Sequence, residues 1–258
     1  MARYVVFSFD DGRLDTYTKA YPTLKKYNMP FTLNVCTDFV EHPEKYHCFQ
    51  SADNKSVEKD HLVQMQQNGV EIACHGHLHL NTKENVLDNI AALKEMKVDV
   101  SNIGFASPNS EITEKNDCGI GELAEQRAIS YIRSGVQIRR EGIIYAVLSV
   151  IGRITRSKKL FLFLNRRNII REQRGILLPS VAITRYNTVE QIRHLIDAMK
   201  DGEAVILMFH SILHKTDPGY GADDWFFDAE KFDELCEMLN CTDVMVCTTR
   251  FLFQERGL

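Results

Sequence analysis

Short apolar and β-branched runs recur along this chain, separated by longer stretches whose apolar positions fall three and four apart. That alternation predicts strand–helix units packed around a parallel sheet. Residues 4–9 (YVVFSF) read as the first strand, 17–27 as a helix and 31–35 as the second strand. Ser56 stands where an N-cap is expected, with Lys59 rather than Glu at the capping-box position, before a helix to residue 67 that Asn68 and Gly69 end. Residues 70–74 read as a strand, Thr82 caps a helix to about residue 97, 103–106 read as a strand and 121–129 as a helix. The run 143–151 fits a helix or a strand by periodicity alone. Order returns with a strand over 177–184, a helix over 189–199, a buried strand over 204–209 (AVILMF), a helix over 229–239 and a last strand over 244–247.

This pattern predicts an α/β fold, a distorted or incomplete (β/α) barrel with about seven parallel strands, in preference to an open doubly wound sheet. No G-x-G-x-x-G follows the first strand, which removes the dinucleotide-binding reading. With 258 residues, no fixed-period repeat and no Gly/Ser/Pro linker, a single domain spanning 1–258 is expected.

Composition is that of an ordinary globular protein, 44% apolar and 26% charged. The apolar run begins at Tyr4, leaving no room for a secretory signal, so a cytoplasmic location is expected, with peripheral membrane attachment as the variant. The longest apolar stretch is far shorter than the roughly 20 residues that span a bilayer, so no transmembrane segment is expected. Seven Cys without a C-x-x-C pair suggest neither disulfide framework nor zinc finger, and Cys74, Cys241 and Cys247 sit in apolar runs where a thiol acts as a small hydrophobe. The net charge of −4 conceals an asymmetry: residues 127–174 carry twelve Lys or Arg against Glu141 and Glu172, or +10, leaving −14 for the rest. Such a segment suits an anionic sugar, phosphate or anionic lipid, against the plainer reading of a solvated helix face. No nucleic-acid partner is expected.

Three polar clusters follow predicted strands: Asp10-Asp11-Gly12 after the first, His75-Gly76-His77-Leu78-His79 after the third, and His210 after AVILMF. In a parallel barrel the carboxyl ends of all strands meet on one face, so these clusters converge. One carboxylate and two imidazoles suit Zn²⁺ or a similar cation, with positions left for water and substrate. Taken singly, Asp-Asp-Gly is also a common turn, and His210 also reads as a buried structural histidine.

Residues 8–12 (SFDDG) resemble the T-F-D-D-G motif of the polysaccharide deacetylases, carbohydrate esterase family 4, with its NodB-like domain. Residues 71–79 (EIACHGHLH) resemble that family's E-I-x-x-H-[ST]-x-x-H motif, and 206–210 (ILMFH) its late strand ending in a catalytic His. The resemblance implies a single NodB-like domain with a basic, insertion-like segment at about 127–174. It implies that Asp11, His75 and His79 hold one divalent metal ion, Zn²⁺ first and Co, Ni or Mn as alternatives. It further implies Asp10 as general base, His210 as general acid, and a metal-dependent hydrolase that removes an N-acyl group, N-acetyl first, from a sugar. The substrate is then a carbohydrate or glycoconjugate, with an anionic or lipid-phosphate-linked glycan suggested by the basic segment.

The family's R-x-P-[YF] motif aligns with Ala106-Ser107-Pro108-Asn109, so the Arg that orients the catalytic Asp is missing there. That leaves two alternatives open: hydrolysis of another non-peptide C–N bond, or a non-catalytic metal- or glycan-binding homologue. Pro108, Asn109 and Trp225 are expected at the substrate, the Asp223-Asp224-Trp225 run as the source of a carboxylate partner for His210 or of an aromatic floor for a sugar ring, and His77 in a role that supports the metal ligands or the structure.

Overall fold

The computed structural model describes residues 2–45, 55–113, 116–134, 143–171 and 175–255. Its elements run β1 (Arg3–Phe9), α1 (Tyr21–Lys26), β2 (Thr32–Val35), α2 (Thr37–Glu41), α3 (Lys59–Gln67), β3 (Glu71–Cys74), α4 (Lys83–Glu95), β4 (Phe105–Ala106), α5 (Ile120–Glu125) and β5 (Ile132–Ser134). They continue with α6 (Ile143–Thr155), α7 (Lys158–Asn165), β6 (Leu177–Pro179), β7 (Val181–Ala182), α8 (Val189–Asp197), β8 (Ala204–Phe209), β9 (Ser211–Leu213), β10 (Phe226–Asp228), α9 (Ala229–Asn240), β11 (Val244–Cys247) and α10 (Thr249–Glu255).

All named strand pairs are parallel, as the alternating pattern predicts. The main sheet runs β6-β5-β4-β3-β2-β1-β8-β7, with β11 added beside the first half of β1. Its two ends, β6 and β7, are separated along the chain by Ser180 alone. The chain passes there from one edge of the sheet to the other: its first part pairs with β5 and its second with β8. Counting β6 and β7 together, seven strands surround the core in a distorted, unclosed barrel. The single strand expected over 177–184 is split because Pro179 has no N–H with which to continue a ladder. The Ser180 hydroxyl instead donates to the Ser134 carbonyl at 2.9 Å.

β1 and β8 are central because both are apolar on two faces, as a strand covered on both sides must be. Phe7, Phe9, Phe209 and Phe232 are fully buried, with Phe9 stacked on Phe209 at 5.5 Å between centroids. Aromatic rings at that spacing add to the burial of their area. The core thus sits directly below the strand ends that carry the polar clusters.

Several expected boundaries move. The cap of α3 is Glu58, not Ser56: the Glu58 side chain accepts from the third helical N–H while the Glu58 N–H donates to the His61 ring. Ser56 instead pairs with Arg13, and its hydroxyl donates to the Gly12 carbonyl at 3.2 Å. Thr82 caps α4 as expected, accepting from the Asn85 N–H. The ambiguous run 143–151 is helical, within α6. Cys74 and Cys247 are buried, whereas Cys241 is exposed rather than packed.

Candidate metal and catalytic cleft

Strand register delivers the polar residues to one place. Phe9 pairs with Phe209, so Asp10 and His210 each stand one residue past a paired strand end. Val35 pairs with Cys74, which puts Cys36 and His75 side by side in the same way. Asp10, Asp11, His75, His79, His210 and Trp225 line a cleft of about 340 Å³.

Backbone conformation aims the side chains. Asp11 adopts φ 73° and His79 φ 58°, left-handed values that non-glycine residues rarely take outside functional turns. Gly76, at φ 77°, turns the chain between the two histidines; a Cβ there would lie 2.8 Å from both Asn85 Oδ1 and the Leu80 carbonyl. The Asn85 side chain organises this loop by accepting from the Leu78 and Leu80 N–H groups at 3.0 and 3.2 Å. Glu71, the first residue of the histidine motif, lies at the other end of β3, where it accepts from Thr32 Oγ1, Tyr131 Oη and the Arg250 N–H and so anchors α10.

Asp11 Oδ1 lies 3.4 Å from His75 Nε2 and 3.7 Å from His79 Nε2. His75 Nδ1 is 2.9 Å from the Ala106 carbonyl, which only accepts, so Nδ1 carries the hydrogen of a neutral ring and the Nε2 lone pair faces the carboxylate. Two lone pairs opposed at that distance require a proton or a cation between them. Ligand atoms about 2.1 Å from a tetrahedral Zn²⁺ lie about 3.4 Å apart, so these residues fit such an ion. Cys36 Sγ joins Asp11, His75 and His79, with the four donor atoms within 4.8 Å of one another. Its thiol, however, donates to the His75 carbonyl at 3.3 Å.

Buried charges tune the site. Burial alone would raise the Asp11 carboxyl, yet Arg13, bonded to Oδ2 through Nε and a terminal nitrogen at 3.0 and 2.9 Å, holds it well below the usual carboxylate range. Burial likewise opposes ionisation of Asp10, and the Arg133 guanidinium together with His75 and His210 outweighs it. The His75 ring is pushed down by burial but raised overall by Asp10 and Asp11, whereas burial and His75 lower His79. Burial pushes His210 down to about 4, partly opposed by Asp11.

Arg133 overturns the expectation of a missing arginine. It enters from β5, paired in register with Ala106 on β4, and bonds Asp10 Oδ1. The guanidinium that is absent at position 106 thus arrives from the next strand. Asn34 Nδ2 donates to the same oxygen at 2.8 Å, so Asp10 Oδ2 is left on the His75 side, 4.0 Å from Nε2.

Other expected positions fare unevenly. Asn109 and Trp225 line the cleft, and the Trp225 ring lies 4.7 Å from the His210 ring. Pro108 is buried, its carbonyl accepting from Asn81 at 3.0 Å, and does not line the cleft. Neither Asp223 nor Asp224 serves His210: Asp223 lies 4.0 Å from an Arg13 nitrogen and accepts from the Trp225 N–H, Asp224 lies 3.0 Å from Arg185 Nε, and His210 Nδ1 has no hydrogen-bond partner among the described residues. His77 is structural, its Nδ1 2.8 Å from Thr37 Oγ1. Arg13, Cys36 and Arg133 were not singled out by sequence. A polar Asn34 between Leu33 and Val35, and a charged Arg133 following Tyr131 and Ile132, were the available signals.

The family model for polysaccharide deacetylases matches residues 1–115. A Bacillus subtilis (strain 168) protein named "Putative polysaccharide deacetylase YxkH" is 35% identical over 79 residues, 30% of this chain and 24% of that relative's length. The chain therefore matches only about a quarter of that relative. Among solved structures, a family 4 acetyl xylan esterase from Clostridium thermocellum in complex with a cobalt ion superposes with a TM-score of 0.53 at 16% identity, covering 99% of this chain and 92% of that one. The Bc1960 peptidoglycan N-acetylglucosamine deacetylase gives 0.55 at 14% identity, covering 97% and 88%. Residues 1–115 are thus similar to the polysaccharide deacetylase family, and the whole chain follows the fold of these two solved enzymes.

Proposed function

We propose that this protein is a metal-dependent hydrolase that removes an N-acyl group, N-acetyl first, from a sugar. The observation that carries the reading is the meeting of Asp11, His75 and His79 around a space that one cation fits, with Asp10 and His210 beside it. Bound Zn²⁺, or Co²⁺, Ni²⁺ or Mn²⁺ in its place, supplies Lewis acidity toward an amide carbonyl and lowers the pKa of water.

The chain's own residues then divide the proton work. Asp10 is ionised, oriented by Arg133 and Asn34, and presents Oδ2 toward the His75 side, where it takes the proton of the attacking water. His210 is the group placed to protonate the departing nitrogen. Because burial holds its imidazole at about 4, it is neutral before substrate arrives and must gain that proton during the reaction. The C–O bond to water forms, the C–N bond breaks, and the water-derived protons end on the amine and the solvent. Trp225 and Asn109 provide one aromatic and one polar wall for a sugar ring. A non-catalytic reading drew its motive from the missing arginine, and Arg133 removes that motive.

The test is acetate release from a panel of N-acetylhexosamine oligomers and glycoconjugates with added Zn²⁺ or Co²⁺, comparing wild type with Asp10→Asn. Turnover by wild type and at least a hundredfold loss in the variant is expected for removal of a general base. A protein with metal bound and no turnover on the panel contradicts the proposal.

A further inference from the structure

α6 points its apolar side the wrong way for a soluble helix. Ile144, Val147, Ile151 and Ile154 recur at three- and four-residue steps, with Val150 beside them, and all are exposed, Ile144 at 74% and Ile154 at 76%. Phe163 on α7 adds a ring that is 61% exposed. The opposite side of α6 is the one that packs, with Gly152 against Leu160 and Leu164 of α7. Around this apolar stripe the charge has one sign: residues 143–171 contain seven Lys or Arg and no Asp or Glu. Arg153, Arg156, Lys158, Lys159, Arg166 and Arg167 are exposed on or just after the two helices.

We infer that α6 and α7 form a docking surface for an anionic phospholipid bilayer. An apolar stripe flanked by basic residues is the pattern of a helix that lies in the headgroup boundary. α6 has 13 residues, so at about 1.5 Å each it is about 20 Å long, short of the about 30 Å hydrocarbon core. It lies on the surface, in keeping with the lack of any described helix long and apolar enough to cross. Charge selects the occupant. A second copy seated on the same face would set seven cations against seven, whereas anionic headgroups complement them. A cavity of about 230 Å³ between these helices and the barrel is lined by Gly152, Arg153, Leu164, Tyr186 and Trp225, and Trp225 also lines the histidine cleft. Docking therefore brings the cleft next to the lipid surface. The inference stands apart from the hydrolase reading.

The experiment is sedimentation of the full chain with phosphatidylcholine vesicles containing 30% phosphatidylglycerol, alongside pure phosphatidylcholine vesicles and light scattering of the protein alone. Three proteins are compared: wild type, Val147→Ser/Ile151→Ser/Ile154→Ser, and Lys158→Gln/Lys159→Gln. These positions are exposed, so circular dichroism should show the same melting for all. Wild type is expected to bind the anionic vesicles, the triple variant at least tenfold more weakly, and the double variant by about fivefold per basic residue removed. Failure to bind anionic vesicles overturns the inference, as does equal binding to neutral ones. So does a wild-type dimer that the triple variant dissolves, because the stripe would then be a contact between copies.

Discussion

Arg133→Met tests the electrostatic design of the cleft. Arg133 is only 1% exposed and bonds a carboxylate, Asp10, that is 3% exposed and also accepts from Asn34 at 2.8 Å. Removing one member of a buried pair leaves the other charge uncompensated, at a cost of about 3–5 kcal/mol. In the wild type Arg133, with His75 and His210, overcomes the effect of burial, so Asp10 ionises below its ordinary value of 3.8 and contributes stability above that pH, lost as pH falls through the folded value. In the variant burial loses its largest opponent, the folded pKa rises, and ionisation becomes a cost that acidification relieves. Urea denaturation should therefore show the two proteins separated by about 3–5 kcal/mol at pH 7 and by clearly less at pH 3. Adding Asp10→Asn to the variant should recover most of that gap. A gap below about 1 kcal/mol at pH 7, or the same gap at both pH values, refutes the reasoning.

Asp15 offers a second pH test: burial raises its carboxyl from 3.8 to about 6, although Oδ1 accepts from the Ile212 N–H. At about 1.4 kcal/mol per pKa unit, the ionised group costs up to about 3 kcal/mol above pH 6 and nothing below pH 4. Asp15→Asn should thus be the more stable protein at pH 7 in urea denaturation and equal to wild type at pH 4; equality at both would count against the raised value. Gly76→Ala should lower stability by about 2 kcal/mol and weaken Zn²⁺ binding in calorimetry, since its Cβ would meet the Leu80 carbonyl at a strained φ. Because the Cys36 thiol donates to a carbonyl, Cys36→Ser should keep its metal content, and the Co²⁺-loaded wild type should show no thiolate charge-transfer absorption.

Where burial and pattern agree, the fold was legible. β1 and β8 are apolar on both faces because they are covered on both, and the motifs behind them land one residue beyond the pairing. The pattern fails where apolar residues are not buried. The run 143–151 resisted assignment because α6 turns its apolar stripe outward, so its hydrophobicity says nothing about a core. Arg133 was hidden for the opposite reason: an Arg inside a basic segment reads as solvated, whereas its strand directs it inward to Asp10. Substituting an adjacent strand for the usual one preserves the contact while erasing the linear motif. Likewise Asp223 beside Trp225 suggested a partner for His210, but the turn carries it to Arg13.

The account depends on one cation shared by Asp11, His75 and His79. The most direct measurement is elemental analysis of purified wild type, His75→Ala and His79→Ala after dialysis against trace Zn²⁺. About one ion per chain in the wild type and far less in both variants is the predicted result. Equal metal content in all three proteins would contradict it.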